Sequence, residues 1–299
     1  MFPNFLGIGA QRTGTTWLHK NLKIHPEIWM PFIKEIHYFD EKEICNSLPP
    51  FEQLSYNFRR YKRRWFLFNA SIKKKKRLRQ FNPDFKTLLW YAKYLLNFRN
   101  DAWYASLFEP GAGKTLGEIT PEYGILSPDS VADIYRLIPD AKIIFIMRNP
   151  MQRAWSHALK VLRDQGKSIG SNSEAAFIQH FDSEDSKRRG NYLKTLETWK
   201  TYYPEEQFMS IFFEEILNNP EALLLRVFNF IGVEASKKHI SKKNFVKFNE
   251  TVNTGEIPKN LAIHLARLYH DEIELLNRHI GGYTSAWLEN CNKLLESSS

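Results

Sequence analysis

Apolar residues along this chain follow two rhythms. Short, nearly unbroken runs occur at 4–9, 142–147 and 208–213, with a shorter one at 116–119. Runs of this length, rich in β-branched and aromatic residues, predict buried strands. Their lack of alternation suits parallel strands covered on both faces. Between them the spacing becomes helical. Trp17, Leu18 and Leu22 mark a helix over 15–24, and Met151, Ala154, Trp155, Ala158, Leu159 and Leu162 mark one that opens at Asn149-Pro150. Asn is a favoured N-cap and Pro a favoured first helical residue. Tyr192, Leu196 and Trp199 mark a third helix. Pro220 opens a fourth, with Leu223, Leu224, Val227, Phe228 and Ile231 inward. A fifth spans 261–279 and closes at Gly281-Gly282. Strands alternating with helices predict an α/β fold, a mostly parallel central sheet flanked by helices in three layers.

Residues 41–113 break this alternation and read as an insertion or lid within one domain spanning 1–299. They hold a basic run and an amphipathic pattern at Phe85, Leu88, Leu89, Ala92, Leu95 and Leu96. The tail from Leu295 is expected to fray. The net charge is +9, yet residues 59–79 alone carry eleven Lys and Arg and no acid. The rest of the chain is therefore close to neutral, and the positive charge is one patch. Its interleaved aromatics fit an anionic glycan, an anionic lipid surface or a plain solvated face, with nucleic acid the weakest of these readings. Hydrophobic residues make up 43% and charged residues 25%, as in ordinary globular chains. Met1-Phe-Pro-Asn lacks the positive start of a signal peptide, no 18-residue apolar window occurs, and Cys45 and Cys291 are far apart. These features predict free thiols in a reducing, cytoplasmic setting.

Gly9-Ala-Gln-Arg-Thr-Gly14-Thr-Thr16 follows the first apolar run. Its glycines have the G-x-x-x-x-G spacing of a phosphate-binding loop, with a hydroxyl residue at the end. The lysine that handles β- and γ-phosphates is replaced by Thr15, and the cation sits inside the loop as Arg12. That pattern suggests a nucleotide without a triphosphate tail, and no metal to neutralise one. Backbone N–H groups at such a turn form an anion cradle, with the hydroxyls of Thr13, Thr15 and Thr16 beside it. A second anion site is expected where the run at 142–147 ends in Arg148-Asn-Pro. Ser156, seven residues after the N-cap, returns to nearly the same helix face. Gly113-Lys-Thr115 lacks the upstream glycine, because position 108 is Phe, and is set aside.

Together Gln11-Arg-Thr-Gly-Thr-Thr-Trp17 and Arg148-Asn-Pro-x5-Ser156 resemble the two nucleotide-binding motifs of the sulfotransferases that use PAPS, 3′-phosphoadenosine 5′-phosphosulfate. Lys34-Glu-Ile-His-Tyr-Phe-Asp40 and Gly117-Glu-Ile-Thr-Pro-Glu-Tyr123 resemble two further blocks of the heparan-sulfate-type and bacterial branch. The likeness runs from about residue 4 to 282 in the same order and leaves out the insertion around 55–80.

The resemblance implies a P-loop-like fold and the following roles. Arg12, Thr13, Gly14, Thr15 and Thr16 would hold the 5′-phosphosulfate, and Arg12 would steady charge on the departing phosphate. Arg148 and Ser156 would hold the 3′-phosphate, and Trp17 would contact adenine or serve the core. Glu35 would be the general base, and His37 would contact the acceptor or act as base itself. Relatives carry a lysine where this chain has Ile119, and they close the 3′-phosphate site with a basic loop for which only Lys247 or Lys259 could supply charge here. The implied reaction moves a sulfuryl group to a hydroxyl, ahead of an amine, of a glycan or small natural product. The rival readings are a P-loop kinase and a basic module that binds nucleic acid or membrane.

Overall fold

A computed structural model describes residues 1–77, 84–96, 98–164, 174–241 and 255–297. Strands β1 (Phe5–Gly9), β2 (Ile28–Trp29), β3 (Thr115–Ile119), β4 (Lys142–Met147) and β5 (Phe208–Phe212) form one sheet in the order β2-β3-β1-β4-β5. Each recorded pairing is parallel, with Phe5 beside Gly117 on one side and Lys142 on the other. The three long apolar runs become β1, β4 and β5, and the shorter one becomes β3. β2 has only two residues, too few for a period to show. The helix after β5 begins at Phe213, one residue inside the expected strand, where the Glu215 carboxylate accepts the Phe212 N–H at 2.8 Å.

From β1 the chain passes through α1 (Thr15–Leu22) to β2 at the sheet edge, returns to β3 beside β1, then crosses to β4 on the other flank of β1. Open α/β sheets bind ligands at such a reversal, beyond the carboxyl ends of the strands. β1 and β4 are neighbours, so the glycine loop and Arg148 emerge side by side. Asn149 caps α7 (Pro150–Asp164) as expected, accepting the Met151 N–H at 3.0 Å. Two apolar clusters fill the two faces of the sheet. Trp17 lies in one, packed with Leu18 and Leu22.

Four helices occupy the region of the expected insertion: α2 (Phe39–Ser47), α3 (Pro50–Arg77), α4 (Phe85–Leu96) and α5 (Asp101–Ser106). Residues 78 and 79 of the basic run lie outside the described residues. The part nearest β3 belongs to the main core: Tyr104 stacks on Tyr38 at 4.8 Å, and Trp103, Tyr104 and Phe108 are buried. On α4 the structure buries Leu95 of the expected pattern and turns most of the rest outward. Trp90, Tyr91, Tyr94 and Leu95 face inward, while Phe85, Leu88, Leu89 and Leu96 face solvent. The aromatic face wins because Trp90 stacks on Tyr94 at 5.5 Å and donates its indole N–H to the Leu107 carbonyl at 2.7 Å. A buried indole needs such a partner.

Candidate active site

The loop between β1 and α1 is shaped by local chemistry. Gly14 takes φ 97° at the N-cap of α1, a left-handed conformation that costs glycine nothing. The Thr13 hydroxyl is buried and donates to the Ala10 carbonyl at 2.7 Å, closing the loop on itself. No side chain caps α1, so its first N–H groups face the sheet edge with the helix dipole behind them. Thr15 is buried and Thr16 exposed at this helix start.

Arg12 and Arg148 meet over this edge. Arg12 Nε donates to Ser156 Oγ at 3.1 Å, and Arg148 Nη1 reaches the Arg12 carbonyl at 3.4 Å. The glycine loop and the Arg148-Asn-Pro segment therefore touch, and Arg12 leans toward the Arg148–Ser156 side. Arg148 lies over the Phe213 ring at 4.5 Å, and Tyr192 donates to its carbonyl at 2.8 Å. Burial pushes the Arg148 pKa down to about 10, and burial also lowers that of Arg12. Among the described residues no carboxylate lies within 4 Å of either guanidinium, so a buried cation, Arg148, and a half-buried one, Arg12, share one edge. A cleft of about 450 Å³ opens beside Arg148, lined by Gln152, Trp155, Glu256, Ile257 and Asn290. Lys259 is exposed at the start of α13 (Lys259–Ile280), and Lys247 lies outside the described residues.

A second constellation gathers on the segment after β2. Lys34 Nζ donates to Glu35 Oε1 at 2.6 Å and to Thr15 Oγ1 at 3.3 Å. Glu35 Oε2 is 3.5 Å from His37 Nε2, and His37 Nδ1 is 2.8 Å from Asp40 Oδ2. The imidazole is thus held between two carboxylates. Burial would lower its pKa, but the bonds to Asp40 and Glu35 outweigh burial and push it up to about 10. Burial would raise Glu35, but the His37 bond and the charge of Lys34 bring it down to about 2. Arg12 (φ 73°) and His37 (φ 56°) are the two non-glycine residues with positive φ among the described residues. Both lie at this edge, where backbone strain is held by surrounding structure.

The turn at His37 is braced from behind. Arg99 donates to the carbonyls of Ile36 and His37 at 2.8 and 3.0 Å, and the Tyr38 N–H donates to the Tyr123 hydroxyl at 3.0 Å. Arg99 and Arg60 both pair with Glu41. Glu118 at the end of β3 is fully buried and accepts from the Tyr104 hydroxyl at 2.8 Å. Burial pushes its pKa up from 4.5 to about 7. A carboxyl that binds its proton more tightly when folded stabilises most at low pH and loses that contribution as pH rises. Fold stability is therefore expected to fall by about 3 kcal/mol between pH 4.5 and 7 from this group. Urea unfolding of Glu118→Gln across that window should show the slope removed.

Sequence reasoning placed Glu35, His37, Arg12, Arg148 and Ser156 at one edge, and the structure brings them there. It passed over Lys34 and Asp40, although both stand in the block that carries Glu35.

A family model described as "Sulfotransferase family" matches residues 3–237. The chain belongs to the sulfotransferase family. This sulfotransferase is 26% identical over 242 residues to the bifunctional heparan sulfate N-deacetylase/N-sulfotransferase 2 of Bos taurus, covering 77% of the chain and 22% of that relative. It is 30% identical over 158 residues to heparan sulfate glucosamine 3-O-sulfotransferase 6 of Homo sapiens, covering 51% of the chain and 44% of that relative. The chain thus spans less than half the length of these curated relatives. Its fold matches a sulfotransferase from Alicyclobacillus acidocaldarius with a TM-score of 0.64 at 22% identity, over 96% of this chain and 99% of that one. The sulfotransferase domain of the curacin biosynthetic pathway matches with a TM-score of 0.52 at 18% identity, over 91% and 97%.

Proposed function

We propose that this sulfotransferase moves a sulfuryl group from PAPS to a hydroxyl, ahead of an amine, of a glycan or small natural product. The observation that carries the donor is the pair of guanidinia with no carboxylate partner among the described residues, beside an uncapped helix start. Such a site fits a nucleotide with anions at both ends of its ribose, and Thr15 stands where a triphosphate-binding loop carries its lysine. The uncapped turn with Gly14, Thr15 and Thr16 would hold the 5′-phosphosulfate, shaped by Thr13. Arg148, Ser156 and Arg12 would hold the 3′-phosphate, with the cleft beside Arg148 open to the rest of the nucleotide. Trp17, buried under the loop, supports it from the core.

The acceptor oxygen attacks sulfur, the bond from sulfur to the phosphate oxygen breaks, and Glu35 takes the acceptor's proton. His37, protonated at neutral pH, fixes the Glu35 carboxylate rather than acting as base. Lys34 stands between Thr15 and Glu35, where it would meet negative charge growing on the departing phosphate. The glycan acceptor is favoured by the heparan sulfate named in the curated relatives.

Calorimetry with PAP, the bisphosphate product, tests the donor reading. PAP is expected to bind without added metal, and ATP with magnesium to bind far more weakly. The reverse order would favour a kinase. Labelled PAPS offered with glycans and small hydroxyl compounds then finds the acceptor by transfer of one sulfate.

A further inference from the structure

Sixteen large hydrophobic side chains are exposed among the described residues, and ten of them lie between positions 51 and 98. They are organised. On α3, Phe51, Leu54, Phe58 and Trp65 fall within one arc of roughly 60° at the helical repeat. Phe51 and Leu54 are 78% and 79% exposed. The opposite face of α3 is spoken for: Arg60 pairs with Glu41, Asn57 accepts from Cys45 Sγ at 3.8 Å, and Arg64 reaches the Tyr94 carbonyl at 3.5 Å. On α4, Phe85, Leu89 and Leu96 form a second exposed arc, opposite the buried Trp90 and Tyr94. No described helix is long and apolar enough to cross a membrane.

We propose that the α3–α4 hairpin docks this enzyme on an anionic phospholipid surface, with α3 lying in the plane of the headgroups. The charge pattern selects that partner. Lys62 stands on the apolar arc itself, 4.7 Å above the Phe58 ring, with Arg59 exposed nearby. Residues 59–79 carry eleven cations and no acid, and two of these, Arg60 and Arg64, are held on the opposite face. A helix with aromatic and aliphatic residues on one side and lysine and arginine around them is the pattern of interfacial helices. A second copy of the same face would bring like charges together. Nucleic acid would satisfy the cations and leave Leu54, Leu88 and Leu89 in water.

The test is co-sedimentation of the full chain with vesicles of phosphatidylcholine alone and of phosphatidylcholine mixed with phosphatidylserine. Binding is expected only to the mixed vesicles and should weaken as salt rises. The triple variant Phe51→Ser, Leu54→Ser, Phe58→Ser should lower the partition coefficient by on the order of tenfold or more. Arg59→Glu with Lys62→Glu should lower it by on the order of tenfold. Calorimetric PAP binding, equal to that of the parent chain, confirms that both variants are folded. No binding to mixed vesicles, or binding untouched by either variant, overturns the proposal. So does a dimer in lipid-free solution that the triple variant dissociates, or a single-stranded oligonucleotide that displaces the vesicles.

Discussion

Glu35→Gln is expected to lower turnover by on the order of 10²–10⁴ while PAP binding survives. The amide keeps the shape of the side chain and loses the ability to accept a proton. In the resting site the carboxylate is held by Lys34 at 2.6 Å and by His37 at 3.5 Å, and its pKa is brought down to about 2. A carboxylate that acidic is a weak base at neutral pH. Lys34, however, also reaches Thr15 on the donor loop. On the proposed mechanism a phosphosulfate at that loop would compete for the same ammonium, and Glu35 would grow more basic as Lys34 is drawn off. The proposed base would thereby be tied to donor occupancy, which would keep an empty site inert. Lys34→Met leaves the His37 bond but removes the second group that depresses Glu35, so the acid limb of the kcat/KM profile should move to higher pH. Unchanged turnover in the Gln variant removes Glu35 as base. A pH profile that does not move removes the link to Lys34.

Arg148→Ala is expected to weaken PAP by about 2–5 kcal/mol, the range for losing one partner of a sheltered charge pair. AMP, which lacks the 3′-phosphate, should lose far less. The asymmetry follows from position. Arg148 hangs from β4, rests on Phe213 and reaches over the Arg12 carbonyl toward Ser156, with no acid within 4 Å among the described residues. Calorimetry with both nucleotides reads the difference directly, and equal weakening of PAP and AMP sinks the assignment. Arg148→Lys should recover part of the loss, because a point charge remains where a fork was.

What was legible in the sequence is what local spacing can encode. The glycines and hydroxyls around Gly14, the Asn149-Pro150 helix start and Ser156 one face later each depend on neighbours a few residues away. The strands β1, β4 and β5 were legible because parallel strands bury both faces and so read as unbroken apolar runs. What stayed hidden depends on distance along the chain. The bond from Lys34 to Thr15 joins a loop and a helix across β2, and that of Arg12 to Ser156 joins β1 to α7. Glu118 reads as an ordinary acid until the fold closes tyrosines over it. On α4 the pattern picked out the aliphatic stripe, whereas Trp90 and Tyr94 stack on each other in the core and the Trp90 indole finds a polar partner as well.

Glu41 is the smallest of the features on which the outer helices depend, and its placement has a consequence for how such enzymes diversify. One carboxylate grips Arg60 of α3 and Arg99, which in turn steadies the carbonyls at His37. The loops at Arg12 and Arg148 hang instead from the central strands, and among the described residues their side-chain bonds involve no residue of α3. Outer helices that keep this one clasp could therefore vary from one such enzyme to another without disturbing the loops at the sheet edge.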